Sequence, residues 1–164
     1  MRSNFLALLC LVLCTLVKSQ DSCYYRYENP ELFKGEGVVF TERCHIPIWI
    51  PEKFTVFTLT ESDIIAAEKL FFEKYAEYAK KEYDWTIKNV KRKYGKFNRQ
   101  YIGLKDDRGT VYVLIQLLNF SKKRKAIKYF SGWDKMYIVG FGKFYEKNVR
   151  TVLVDITGKK VTKW

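Results

Sequence analysis

Residues 60–83 read TESDIIAAEKLFFEKYAEYAKKEY, and the fold turns on how this stretch is arranged. Ile64, Ala67, Phe71, Tyr75 and Tyr78 recur at spacings of three and four, with Leu70, Phe72 and Ala79 beside them, which is the period of an amphipathic helix. Thr60 offers a hydroxyl cap, and Asp63 supplies a carboxylate three residues on, a capping box with Asp in place of Glu. The carboxylates Glu61, Asp63, Glu68, Glu73, Glu77 and Glu82 read as the solvated side, spaced to pair with lysines. Such a helix buries one broad face against something large.

The residues downstream supply a partner. Phe97–Leu104 alternates, Lys105-Asp106-Asp107-Arg108-Gly109 forms a turn with glycine suited to positive φ, and Thr110–Phe120 returns as a long strand. Lys135–Gly142 and Val149–Ile156 read as a second strand pair joined by 143–148, after which Thr157-Gly158 turns the chain toward Val161 and Trp164. Upstream, Val38–Thr41 and Phe54–Leu59 are short strand candidates. Between them, Ile46–Pro51 carries two prolines that lack the donor a sheet interior needs, so it reads as an edge or an extended connector. The expected class is α+β: one long helix packed across a four- to five-stranded antiparallel sheet.

The order of strands, then one helix, then a run of strands resembles the cystatin-like architecture, and Arg99-Gln100-Tyr101-Ile102-Gly103 before a glycine turn is similar to hairpins of that fold. For an inhibitory cystatin the resemblance would imply an N-terminal glycine, a Q-x-V-x-G hairpin and a late Pro-Trp. The hairpin here turns through Lys105–Gly109 with no Q-x-V-x-G, and no Pro-Trp follows. Protease inhibition is therefore a minor reading, because a shared fold does not carry function by itself.

Phe5–Val17 is an apolar run behind Arg2, followed by the small-residue pattern Val17-Lys18-Ser19, which predicts an export signal over residues 1–19 and a single secreted domain over 20–164. Cleavage there lowers the net charge from +12 to +10 and leaves two of the four cysteines, Cys23 and Cys44. An exported chain pairs such cysteines. The rival reading, a Cys44 nucleophile activated by His45, is the lesser one, since neighbours on a strand point to opposite faces and His45 could not easily activate Cys44. Asn119-Phe120-Ser121 is an N-glycosylation acceptor.

Charge is uneven. Residues 20–84 hold 8 basic and 13 acidic side chains, 85–133 hold 13 and 2, and 134–164 hold 7 and 3. Two groups dominate the middle: Lys88, Lys91, Arg92, Lys93, Lys96 and Arg99, then Lys122, Lys123, Arg124, Lys125 and Lys128. Pairing the two long strands brings both groups to the end of the hairpin away from its turn, with Tyr94, Phe97, Tyr129, Phe130 and Trp133 interleaved. They are the expected anion-binding surface.

With one histidine and none of the zincin, kinase or P-loop signatures, the sequence implies no metal, no cofactor and no enzyme activity. The leading expectation is a secreted, non-enzymatic, monomeric binding protein whose basic patch meets an anionic extracellular partner: a glycosaminoglycan, a membrane surface or acidic matrix. Nucleic acid is disfavoured by export. The alternative is a structural matrix or secretion component. A membrane-disrupting host-defence role ranks lower, since the long helix is not basic.

Overall fold

A computed structural model of the protein describes residues 22–83 and 86–164, apart from the side chains of 78–83. The predicted export segment 1–19 and the side chains of Tyr78, Ala79 and Glu82 lie outside the described residues. The elements in order are β1 (Tyr24–Tyr27), β2 (Gly37–Phe40), β3 (Phe54–Phe57), α1 (Glu61–Tyr83), α2 (Ile87–Tyr94), β4 (Asn98–Asp106), β5 (Val111–Leu118), α3 (Lys123–Tyr129), α4 (Lys143–Asn148), β6 (Val149–Asp155) and β7 (Lys160–Lys163). The class is α+β; among the described residues seven strands form one mostly antiparallel sheet, where four or five were expected, and three short helices accompany the long helix α1.

The strands run β1-β2-β4-β5-β6-β7, and β3 also pairs with β4. One edge of β4 is shared: Gly37–Phe40 lies parallel along Arg99–Ile102, and Phe54–Phe57 lies antiparallel along Gly103–Asp106. All the other pairings are antiparallel. The β4–β5 turn forms as its sequence predicts. Gly109 takes φ +78°, and the Asp106 carboxylate accepts the backbone N–H groups of Arg108 at 3.0 Å and Thr110 at 2.8 Å.

The Thr60 cap also forms: Asp63 N–H donates to Thr60 Oγ1 at 3.2 Å, and Thr60 N–H donates to Asp63 Oδ2 at 2.9 Å. Helix α1 then lays Ile64, Ala67, Phe71, Phe72 and Tyr75 onto Val39, Tyr101, Val113, Ile115, Val152 and Val154.

The opposite sheet face is covered as well. Val38, Phe40, Ile102, Leu104 and Leu114 are buried beneath the irregular segments around Cys44–Ile50 and Trp133–Tyr137. Burial on both faces explains why β5 reads as an almost unbroken apolar run instead of alternating.

Lys135–Gly142 is not a strand. It crosses the sheet face, and two buried glutamines from directly paired positions of β4 and β5 hold it there. Gln100 Nε2 donates to the carbonyls of Trp133 and Met136, Gln100 Oε1 accepts the Ile138 N–H at 2.9 Å, and Gln116 Nε2 donates to the Ile138 carbonyl at 3.1 Å. The side-chain amides satisfy backbone groups that a ladder would otherwise satisfy. The segment 143–148, expected as a connector, forms α4.

Two charged residues expected at the surface lie inside. Glu68 is fully buried on the sheet-facing stripe of α1, and Arg99, assigned above to the anion-binding surface, is fully buried on β4. Strand alternation gives Arg99 the face of Tyr101, toward the helix. Arg99 Nε lies 2.6 Å from Tyr101 Oη and 3.4 Å from Glu68 Oε1, and the guanidinium rests on the Phe33 ring at 4.3 Å. Tyr101 Oη donates to Glu68 Oε1, and Asn29 Nδ2 donates to Glu68 Oε2 at 2.8 Å. Burial pushes the Glu68 carboxyl above the usual carboxylate range, against the opposing pull of Tyr101 and Arg99. Arg99 belongs to the core, so the predicted patch loses it.

Cys23 and Cys44 stand at disulfide distance with their Cα atoms 4.9 Å apart, flanking the β1–β2 pair.

Candidate anion-binding cleft

The first basic group is carried by α2. Thr86 caps it through a reciprocal exchange with Asn89, and buried Val90 and Tyr94 anchor its inner side, which leaves Lys88, Lys91, Arg92 and Lys93 exposed. Gly95 ends the helix, exposed Lys96 follows, and buried Phe97 leads into β4.

Sheet register then decides what meets this group. Asn98 pairs with Leu118, and Leu118 pairs with Val149. The exit from β5 and the entry to β6 therefore stand beside the end of α2. Between them lies an open cleft of about 460 Å³, lined by Arg92, Lys93, Tyr94, Lys96 and Phe97, by Asn119, Phe120 and Ser121, and by Lys147, Val149 and Arg150. Among the described residues, five cationic side chains, three aromatic rings and no carboxylate line it.

Lys147 and Arg150 were missed in the sequence, although the signal was present. Val149 begins the predicted β6, and a meander places the start of β6 against the end of β5. The second basic group does not extend a strand. Lys123–Tyr129 is α3, whose buried Ala126 faces Leu118, Phe130 and Ile138. Lys122, Lys123, Arg124, Lys125 and Lys128 are all exposed there, beyond Ser121 and outside the cleft lining. Ten of the eleven expected anion-binding residues are therefore at the surface, three of them in the cleft, and Arg99 alone is buried.

Asn119 is half-buried on the cleft wall. Its Oδ1 accepts the Ser121 N–H at 3.0 Å, and its Nδ2, the atom a glycan would use, donates to Asn148 Oδ1 at 3.2 Å. Of the aromatics expected near the patch, Tyr94, Phe97 and Phe130 are core residues, while Tyr129 is exposed and stacks on Phe144 at 4.2 Å.

The cleft offers hydrogen-bond donors and positive charge beside flat apolar rings, which suits a ligand bearing sulfate, phosphate or carboxylate groups. Among the described residues, no group of three or more His, Cys, Asp or Glu side chains is placed to hold a metal ion, and no helix is long and apolar enough to cross a membrane. Comparison of the chain with protein-family models, with curated proteins and with solved structures finds no match.

Proposed function

We propose that the chain is a secreted, non-enzymatic binding protein that meets an anionic extracellular partner at the end of its sheet where α2, β5 and β6 converge. One observation carries the reading: two separated segments, 92–96 and 147–150, bring Arg92, Lys93, Lys96, Lys147 and Arg150 to one cleft with no acid lining it among the described residues. Each of the five would be a solvated charge if scattered. Gathered around one concavity, they focus positive potential outward and speed encounter with anions.

Secretion is supported by the Phe5–Val17 apolar run and by the cysteine pair, which suits an oxidising compartment. A cystatin-like architecture is supported by the helix laid across a mostly antiparallel sheet, although the parallel β2–β4 pairing departs from a plain antiparallel meander.

The test is retention on immobilised heparin as a function of salt, with Arg92→Gln, Lys96→Gln and Lys147→Gln combined. The wild-type protein should elute well above the salt that releases neutral proteins, and the triple variant should elute markedly earlier. Elution of both at low salt refutes the reading.

A further inference from the structure

The region beside the cleft, which shares Lys147 with it, has a different character. Among the described residues eight large apolar side chains are exposed, and five of them fall between Ile127 and Phe141: Ile127, Tyr129, Met136, Val139 and Phe141. The same region, residues 122–147, carries eight exposed lysines and arginines against two acids. Of the acids, Asp134 is spent on Arg26 at 2.7 Å, leaving Glu146 alone to offset them.

These apolar side chains are presented by ordered structure. The Met136 and Ile138 backbone groups are held by Gln100, and the Ile138 carbonyl also accepts from Gln116. Gly140 packs so closely on the Tyr145 ring that a Cβ there would lie within 2.4 Å of three ring atoms, and Gly142 follows at φ +89°. Phe141 therefore stands between two conformationally constrained glycines at the entry to α4, and the residue is 91% exposed. Tyr129 is braced from behind by Phe144, and Tyr145 Oη donates to the Tyr129 carbonyl at 3.0 Å. Val139 shares a small hollow with Ile48, and the residue after Ile48 is Trp49, itself 78% exposed.

We infer that α3, the 135–142 crossing and α4 form a docking lobe for an anionic lipid surface, with Phe141, Met136 and Val139 entering the headgroup region while the surrounding lysines contact acidic headgroups. The reading rests on the proposal that the basic face meets an anion, and it selects the lipid source of that anion. Charge alone would serve a soluble sulfated polymer equally well. A polymer, however, gives an exposed phenylalanine and its apolar neighbours nothing to enter, whereas an interface takes up apolar side chains and cationic ones together. The lobe contains no apolar segment long enough to span a bilayer, so the attachment is peripheral.

The test is sedimentation of the full protein with vesicles of phosphatidylcholine, pure or mixed equally with phosphatidylserine, run beside the heparin column. Binding is expected to the acidic vesicles only. Phe141→Ser and Met136→Ser, both at exposed sites, should together weaken it by about tenfold or more while leaving heparin retention and thermal melting unchanged. A Phe141→Trp reporter should be quenched by brominated acyl chains. If the double variant sediments with acidic vesicles as the wild type does, the lobe does not insert and the inference falls. If heparin is retained but acidic vesicles are not, the lipid inference falls while the proposed anion-binding function stands. If neither is bound, both fall.

Discussion

Replacing Glu68 with alanine tests the interior of the molecule most directly. Glu68 and Arg99 are both fully buried, and the carboxylate accepts from Tyr101 Oη and Asn29 Nδ2 while facing the guanidinium at 3.4 Å. Glu68→Ala leaves Arg99 with the ring faces of Phe33 and Tyr101, the Gly35 carbonyl and the Tyr101 oxygen, but no counter-charge. Removing one partner of such a pair costs about 3–5 kcal/mol. For a chain of this length the unfolding entropy is of order 0.3 kcal/mol/K, so the melting temperature should fall by about 10–15 °C. Circular dichroism melts and urea titrations of the folded protein give the number. The double variant Glu68→Leu with Arg99→Met removes both charges, and it should recover much of the loss instead of adding to it, a coupling of about 2 kcal/mol or more. A loss below about 1 kcal/mol for Glu68→Ala, the range of an exposed ion pair, would refute the account. Strict additivity in the double variant would refute it as well.

Further outcomes follow from other parts of the fold. Gln100→Leu strips the clamp from the Trp133 and Met136 carbonyls and the Ile138 amide; it should cost roughly 2–4 kcal/mol and speed hydrogen exchange at Ile138, and unchanged exchange there would contradict the clamp. Cys44→Ser should lower stability by about 3 kcal/mol under oxidising conditions and by nothing further once the wild type is reduced. Burial holds the phenols of Tyr27, Tyr101 and Tyr137 above their ordinary value of 10.0, Tyr27 at about 12. The folded state thus retains protons that the unfolded chain gives up, so their contribution to stability is complete below pH 10 and is lost as pH climbs through the raised values. Phenolate absorbance for these three should appear together with alkaline unfolding; reversible titration near pH 10 with intact circular dichroism would contradict their burial.

The helix α1, its cap, the β4–β5 hairpin and the cysteine pair are legible in the sequence because each depends on local spacing. Glu68 is a case where spacing was right and residue identity misled. It lies four after Ile64 and three before Phe71, squarely within the apolar stripe, and only partners about thirty residues further along the chain, Arg99 and Tyr101 on β4, make its burial tolerable. The same holds for Arg99, whose alternation with Tyr101 gave its face. Lys135–Gly142 has strand-like composition, but the second face of the sheet, with Ile102 and Leu104 of β4 and Leu114 of β5, needs a covering layer, and this segment helps provide it. For the cleft, the charge groups were visible, while Lys147 and Arg150 join only through the β5–β6 register.

The shared edge of β4 bears on how the chain assembles in time. The β4–β5–β6 meander joins neighbours in sequence and can form early, whereas β2 must return across α1 and α2 to lie parallel to β4, a pairing between residues about sixty apart. Closure of Cys23 to Cys44 spans only 21 residues and brackets the β1–β2 hairpin before that return. Oxidation thus presents the sheet with a preassembled two-stranded unit in place of a floppy tail, so refolding with the bridge intact should be faster than refolding of the reduced chain, with the slow step shifted to docking of β2.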